Sequence, residues 1–360
     1  MASEEHFNVT LPLDSDAAAK KGAEEMLRSL RPDWASVEFQ FFTEGITNRI
    51  LSAWEAGGDR QQRILFRIYG RNTELIIDRG AEIAPMRLLH REGLAPPIYA
   101  TFQNGLAYGF VPGAVLDVDT VREPRIAKAI ARRMAQMHAV RLSPEDLRLL
   151  GQKPGQSLME AKIAVWLEQL PSSFPDSAMQ TRFESFPGKE ELEAGMKELL
   201  DLMKELHADM PLVLSHNDLL LKNIVWNENK EEVDFIDLEY AGYNFQAFDI
   251  GDHFTEYAGV DEIDFSRHPD ASYQKDWLQS YLEAFQEFNG EQLSLERLFH
   301  AVQVSAAAAH FFWSIWAVIQ AANSTLDFDF LQYGLDRIGE YRRHKEAAFP
   351  PARQFLKDLP

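Results

Sequence analysis

The chain has 360 residues, of which 46% are hydrophobic, and no cysteine. That is enough apolar content for one large core or two smaller ones, while the missing thiols exclude disulfides, thiolate zinc sites, iron–sulfur clusters and cysteine nucleophiles. With 56 acidic residues against 36 basic ones the formal charge is −20, a field that repels nucleic acid and anionic lipid and attracts cations.

Residues 1–10 carry two glutamates and no apolar run, unlike a secretory or transit peptide, so a cytoplasmic protein is expected. Residues 14–30 place apolar side chains at Ala19, Ala23, Met26, Leu27 and Leu30 before a stop at Arg31-Pro32, which predicts an amphipathic helix. Between residues 37 and 69, three runs rich in Val, Ile, Phe and Leu are broken at Glu44-Gly45 and Gly57-Gly58, which predicts three antiparallel strands. A helix over 78–92 follows. Strands at 98–102 and 106–111 then flank Gln103-Asn104-Gly105, where Asn-Gly signals a tight hairpin.

Beyond Pro112-Gly113 the pattern turns helical, with helices expected over 124–140, 158–170, 189–208, 276–288, 295–322 and 333–349. One hairpin interrupts them, with strands 224–226 and 233–236 around a polar turn. Residues 298–326 hold no Asp, Glu, Lys or Arg and are long enough to span a bilayer. Scattered polar residues, including His300, Gln303, His310 and Gln320, and the lack of flanking basic clusters argue instead for a buried helix or a pocket wall, without stable membrane insertion. The expected fold is α+β: an N-terminal lobe, residues 1–112, with a small antiparallel sheet and a leading helix, then a larger, mainly helical lobe, residues 113–360, with a cleft between them.

The sharpest chemical signal is His216-Asn217-Asp218, with Asn223 five residues after Asp218 and Asp237 fourteen after Asn223, beyond a hairpin. Phosphoryl transfer uses this set: an aspartate accepts the hydroxyl proton, an asparagine binds magnesium, and a second aspartate bridges metal and phosphate. Gly45, Ile46, Thr47 and Asn48, between two predicted strands, fit a phosphate-covering loop or an ordinary hairpin turn, since one glycine falls short of a glycine-rich motif. Arg67 with Glu82 reads either as a phosphate-pairing cation with its helical partner or as a surface ion pair. Trp313 and Trp316 share a helix face with His310, and Phe328 and Tyr333 follow. Such a stripe is either core packing or a cage for an ammonium group.

The segments V-L-S-H-N-D-L-L-L-K-N-I at 213–224 and F-I-D-L-E-Y-A-G-Y-N-F-Q-A-F-D-I-G at 235–251 resemble the choline/ethanolamine kinase family. The resemblance runs from N-V-T-L-P-L-D-S at 8–15, through F-T-E-G-I-T-N-R and L-F-R-I-Y-G, to H-F-F-W-S-I-W-A at 310–317. L-R-P-D-W at 30–34 and S-T-L-D-F-D-F-L at 324–331 resemble its ethanolamine branch. The resemblance implies a two-lobed protein-kinase-like fold and an ATP- and Mg2+-dependent kinase that phosphorylates the hydroxyl of ethanolamine, the first step towards phosphatidylethanolamine. It makes Asp218 the catalytic base and Asn223 and Asp237 the magnesium ligands. Arg67 takes the place of the kinase lysine with Glu82 as partner, Gly45 to Asn48 cover the phosphates, and backbone near Phe110 and Val111 meets adenine. Tyr240, Glu256, Trp313, Trp316, Phe328 and Tyr333 surround the ammonium, and Asp249 braces the catalytic loop. Gly109, Asp252 and Tyr257 depart from the family pattern, the last two near the implied substrate pocket. The implied partner is a small cationic amino-alcohol, with no nucleic acid; oligomeric state, a homodimer included, is left open. Choline as acceptor, an inactive kinase-like scaffold, and a kinase for a larger polycation such as an aminoglycoside are the alternatives.

Overall fold

Residues 4–42, 48–69, 79–260, 262–324 and 326–359 are described by the structure, a computed structural model. They fall into two units, Met1–Ala114 with Asp234–Glu239, and Val115–Val233 with Tyr240–Pro360.

The first unit opens with β1 (Glu5–Phe7) and α1 (Asp16–Leu30). The Ser15 hydroxyl caps α1 by accepting the Ala18 N–H at 3.3 Å, and Ala19, Ala23, Met26 and Leu27 form its buried stripe. Then come β2 (Val37–Phe42), β3 (Asn48–Glu55), β4 (Ile64–Tyr69), α2 (Arg79–Arg91), β5 (Ile98–Phe102) and β6 (Gly105–Gly109). Six strands make one sheet in the order β1-β5-β6-β4-β3-β2. The three strands expected between residues 37 and 69 are β2, β3 and β4, paired antiparallel. β1 adds an unexpected parallel pairing to β5; its three residues are too few to show a period. β4 is buried at all six positions, while β2 alternates half-buried and exposed side chains at the sheet edge. Leu11, Met26, Leu51, Phe66 and Ile68, each fully buried, form the core, and each contributes about 1.5–3 kcal/mol of hydrophobic stabilisation.

The chain continues through β7 (Ala114–Val115), α3 (Pro124–His138), α4 (Pro144–Leu149), α5 (Leu158–Gln169), α6 (Ser177–Phe183), α7 (Lys189–Leu206), β8 (Leu212–Ser215), β9 (Ile224–Asn227), β10 (Glu232–Phe235), β11 (Gly242–Phe245), α8 (Gln246–Thr255), α9 (Ala271–Asn289), α10 (Leu295–Asn323) and α11 (Phe330–Lys357). The second unit is built around α10, which packs on α11, α8, α7, α5 and α9. Of the most apolar 18-residue stretch of α10, 89% is buried, so it is a core helix. α8 is buried at every position and comes so close to α10 that a Cβ on Gly251 would lie 2.7 Å from the Ala306 nitrogen.

Several elements went unread in the sequence: α4, α6, β7, β8 and β11 span two to seven residues, less than two helical turns or a clear alternation. α11 was expected to stop at Phe349 and instead runs through Pro350 and Pro351 to Lys357. Proline removes backbone donors there, but buried Phe349 and Ala352 hold the segment against the unit.

Candidate active site

β8 and β11 pair antiparallel with Ser215 opposite Gly242, and the His216 to Asn223 loop springs from the end of β8. Asp249, fully buried on α8, holds this loop: it accepts the N–H groups of His216 at 2.8 Å and Asn217 at 2.7 Å. It also accepts Nε2–H of His138 at 3.0 Å, and His138 Nδ1 is in turn 2.7 Å from the hydroxyl of Tyr281. Burial resists ionisation of Asp249, but the His138 bond and the backbone donors outweigh it and keep the carboxyl below its usual range. Asn217 takes left-handed backbone, φ 66°, a conformation Asn tolerates better than most residues. Its amide donates to the Tyr240 carbonyl at 2.9 Å and accepts from Asn244 at 2.7 Å. Asp218 follows, half-buried, its N–H directed to His216 Nδ1 at 3.4 Å. The Asn223 amide nitrogen donates to the Asp218 carbonyl at 2.9 Å.

The aromatic residues gather in the same unit. Trp313 meets Tyr240 edge-on at 5.2 Å and Trp316 at 5.5 Å, and Trp316 Nε1–H donates to the Tyr240 hydroxyl at 2.9 Å. Phe330 links Trp316 to Phe328, which contacts Tyr333. Phe328 remains 40% exposed, whereas Tyr333 is buried. Burial raises the Tyr333 phenol, with the charges of Arg337, Glu256 and Asp218 nearby. Glu256, 2% exposed, is paired at 2.5 Å with Arg337, also 2% exposed, and the guanidinium carbon lies 4.9 Å from the centre of the Tyr333 ring. Burial opposes the Arg337 charge, but Glu256 and Tyr333 more than offset it and strengthen its hold on the proton. The second oxygen of Glu256, Oε2, is buried without a hydrogen-bond partner. Arg337 escaped sequence reading because a lone arginine one turn after Tyr333 carries no motif.

In the first unit, Arg67 on β4 is buried and donates to Asp237 at 2.5 Å. Asp237 adopts φ 62°, and its side chain is 34% exposed. Phe110 donates its N–H to the Arg63 carbonyl at 3.3 Å, under the Arg63 guanidinium, and Val111 is half-buried. Asn48 opens β3 opposite Tyr69. Gly45, Ile46 and Thr47 lie outside the described residues, as do the side chains of Asn48 and of Glu82, which belongs to α2.

Asn223 and Asp237 offer oxygen donors only: the bond from the Asn223 nitrogen to Asp218 leaves its carbonyl oxygen as the acceptor, and Asp237 supplies a solvent-accessible carboxylate. Taken each within its own unit, these are oxygen ligands of the kind that a hard divalent cation such as magnesium takes. A second grouping, His310, Glu340 and His344, has ligand atoms within 4.8 Å of one another. The Arg337 guanidinium stands 3.3 Å from His310 Nδ1 and opposes a cation there.

A sequence profile described as "Choline/ethanolamine kinase" matches residues 39–342. Ethanolamine kinase 1 of Mus musculus is 41% identical over 94% of this chain and 93% of its own length. A probable ethanolamine kinase of Nematostella vectensis is 42% identical over 93% of this chain and 95% of its own. The solved structure of a Plasmodium vivax ethanolamine kinase superposes with a TM-score of 0.77 at 26% identity, covering 91% of this chain and 89% of that one.

Proposed function

The chain belongs to the choline/ethanolamine kinase family, and from that membership we propose that it transfers the terminal phosphoryl group of ATP to the hydroxyl of ethanolamine, giving phosphoethanolamine and ADP. The observation that carries this reading is the near full-length similarity to ethanolamine kinases. Asp218 orients the substrate hydroxyl for in-line attack and accepts its proton; the new oxygen–phosphorus bond forms as the bond from the terminal phosphorus to the bridging oxygen breaks. Where the transition state is loose, early proton removal gains little, so Asp218 acts by positioning as much as by basicity. Magnesium held by Asn223 and Asp237 would neutralise charge on the phosphates. We assign nucleotide binding to Gly45, Ile46, Thr47, Asn48, Arg67, Glu82, Phe110 and Val111, and the substrate ammonium to Tyr240, Glu256, Trp313, Trp316, Phe328 and Tyr333.

Choline is the competing acceptor, because it too carries a cation two carbons from a hydroxyl. The unpartnered Oε2 of Glu256 supports ethanolamine, since a primary ammonium has three N–H donors and a trimethylammonium none. ADP formation by purified protein with magnesium-ATP, supplied with ethanolamine and choline separately and in competition, tests the reading. The expected result is a higher kcat/KM for ethanolamine. A preference for choline keeps the phosphoryl chemistry and overturns the acceptor; ATP binding without turnover of either favours a scaffold.

A further inference from the structure

Asp252, on α8, stands four residues before Glu256, the C-cap of that helix, and is 0% exposed. Its Oδ1 accepts Trp313 Nε1–H at 2.8 Å, and its Oδ2 accepts the Leu219 N–H at 3.1 Å. Both donors are neutral. Among the described residues no Lys, Arg or His lies within ion-pairing distance of Asp252, whereas Glu256 has Arg337 at 2.5 Å. Two carboxylates and one guanidinium, all within 2% of full burial, therefore leave one negative charge unanswered when both acids are ionised.

The surroundings do not cancel it. Asp249 repels Asp252 and is itself held by His138 and two backbone donors. His310, beside Arg337, is kept neutral by burial and by the Arg337 charge. Burial and Glu256 push the Asp252 carboxyl well above its usual range, against the Trp313 bond. Hydrogen bonding alone does not call for a charge here, because a neutral oxygen serves an indole or amide N–H as well, and an uncompensated buried carboxylate is costly. Through Leu219 and Trp313, Asp252 is also tied both to the loop that carries Asp218 and to the aromatic wall formed with Tyr240 and Trp316.

We propose that Asp252 sets the charge of the acceptor pocket: its carboxylate is the negative charge that the ammonium of the substrate answers, so that it selects a cationic acceptor over a neutral alcohol of the same size. This rests on the reading of the pocket as an amino-alcohol site. Asp252 is a specificity-determining residue that acts through space and through its two anchors, not a catalytic residue.

The test compares the wild-type enzyme with Asp252→Asn and Asp252→Glu, measuring KM and kcat for ethanolamine and the inhibition constant Ki of ethylene glycol, an uncharged molecule with as many heavy atoms. In Asp252→Asn the ratio of ethylene glycol Ki to ethanolamine KM should fall by at least about tenfold, chiefly through KM, with kcat at saturation held within about threefold. Asp252→Glu keeps the charge and should keep the ratio within about threefold of wild type. An unchanged ratio in Asp252→Asn, or an equal loss of both ligands, overturns the proposal and leaves Asp252 as an anchor only. Should Asp252→Asn fail to fold, Asp252→Glu decides, a collapsed ratio counting against the proposal. Wild-type enzyme that does not phosphorylate ethanolamine overturns the reading of the pocket and this proposal with it, a result separable from failure of the Asp252 variants alone.

Discussion

Asp218 and Asp249 show how two aspartates in one unit are set to different tasks. Asp218 is half-buried at the loop, while Asp249 is fully enclosed and spends its oxygens on His138, His216 and Asn217. Replacing Asp218 by Asn removes the carboxylate proposed to accept the substrate proton. Turnover should fall by about 10²-fold or more, while magnesium-ATP still raises the melting temperature; wild-type kcat in this variant would refute the assigned role. Asp249→Asn turns one acceptor oxygen into a donor facing another donor in a fully buried network. It should lower unfolding free energy by about 3–5 kcal/mol in urea melts, and a loss under about 1 kcal/mol would mean that the loop is held by other contacts.

At the scale of elements, the contact of α8 with α10 positions Asp249, Asp252 and Trp313 together, since these residues project from the two helices, with Glu256 at the C-terminal cap of α8. Gly251 permits that contact: a methyl group there would fall within 2.8 Å of Ser305 and Ala306 backbone atoms. Backbone on both sides cannot yield as a flexible side chain could. Gly251→Ala should therefore cost about 1–3 kcal/mol of stability and lower activity by shifting α8, and a variant as stable as wild type would show that the two helices separate easily.

For the whole molecule, buried histidines set the response to acid. Burial lowers His207, His253 and His268 from 6.5 to about 4 and His344 to about 3. The folded state thus binds protons less readily than the unfolded chain, so the stability these groups contribute is complete above pH 6.5 and is lost as pH falls through their folded values. Asp249, whose carboxyl is lowered, adds loss at still lower pH; Asp252, whose carboxyl is raised, works the other way, losing stability as pH rises. With His207, His253, His268, His310 and His344 all lowered against one raised aspartate, the melting temperature should fall steadily between pH 6.5 and 4. A constant melting temperature across that range would contradict the burial of these rings.

The sequence by itself determined the family, the α+β fold class, the long helices and the strands of the first sheet, because each has a full period or a contiguous motif in which every residue constrains its neighbours. His216 to Asn223 was legible for that reason, as was the burial of α10 from its scattered polar residues. Only the tertiary structure decided that Asp249 is bonded to His138, 111 positions away, that Arg337 answers Glu256 across 81 positions, and that Asp252 is tied to Trp313 with no ion-pairing cation among the described residues. These partners are distant in the chain and share no spacing. What joins them is the demand that a charge removed from water find a donor or a counter-charge, and that demand exists only once α8, α10 and α11 have packed.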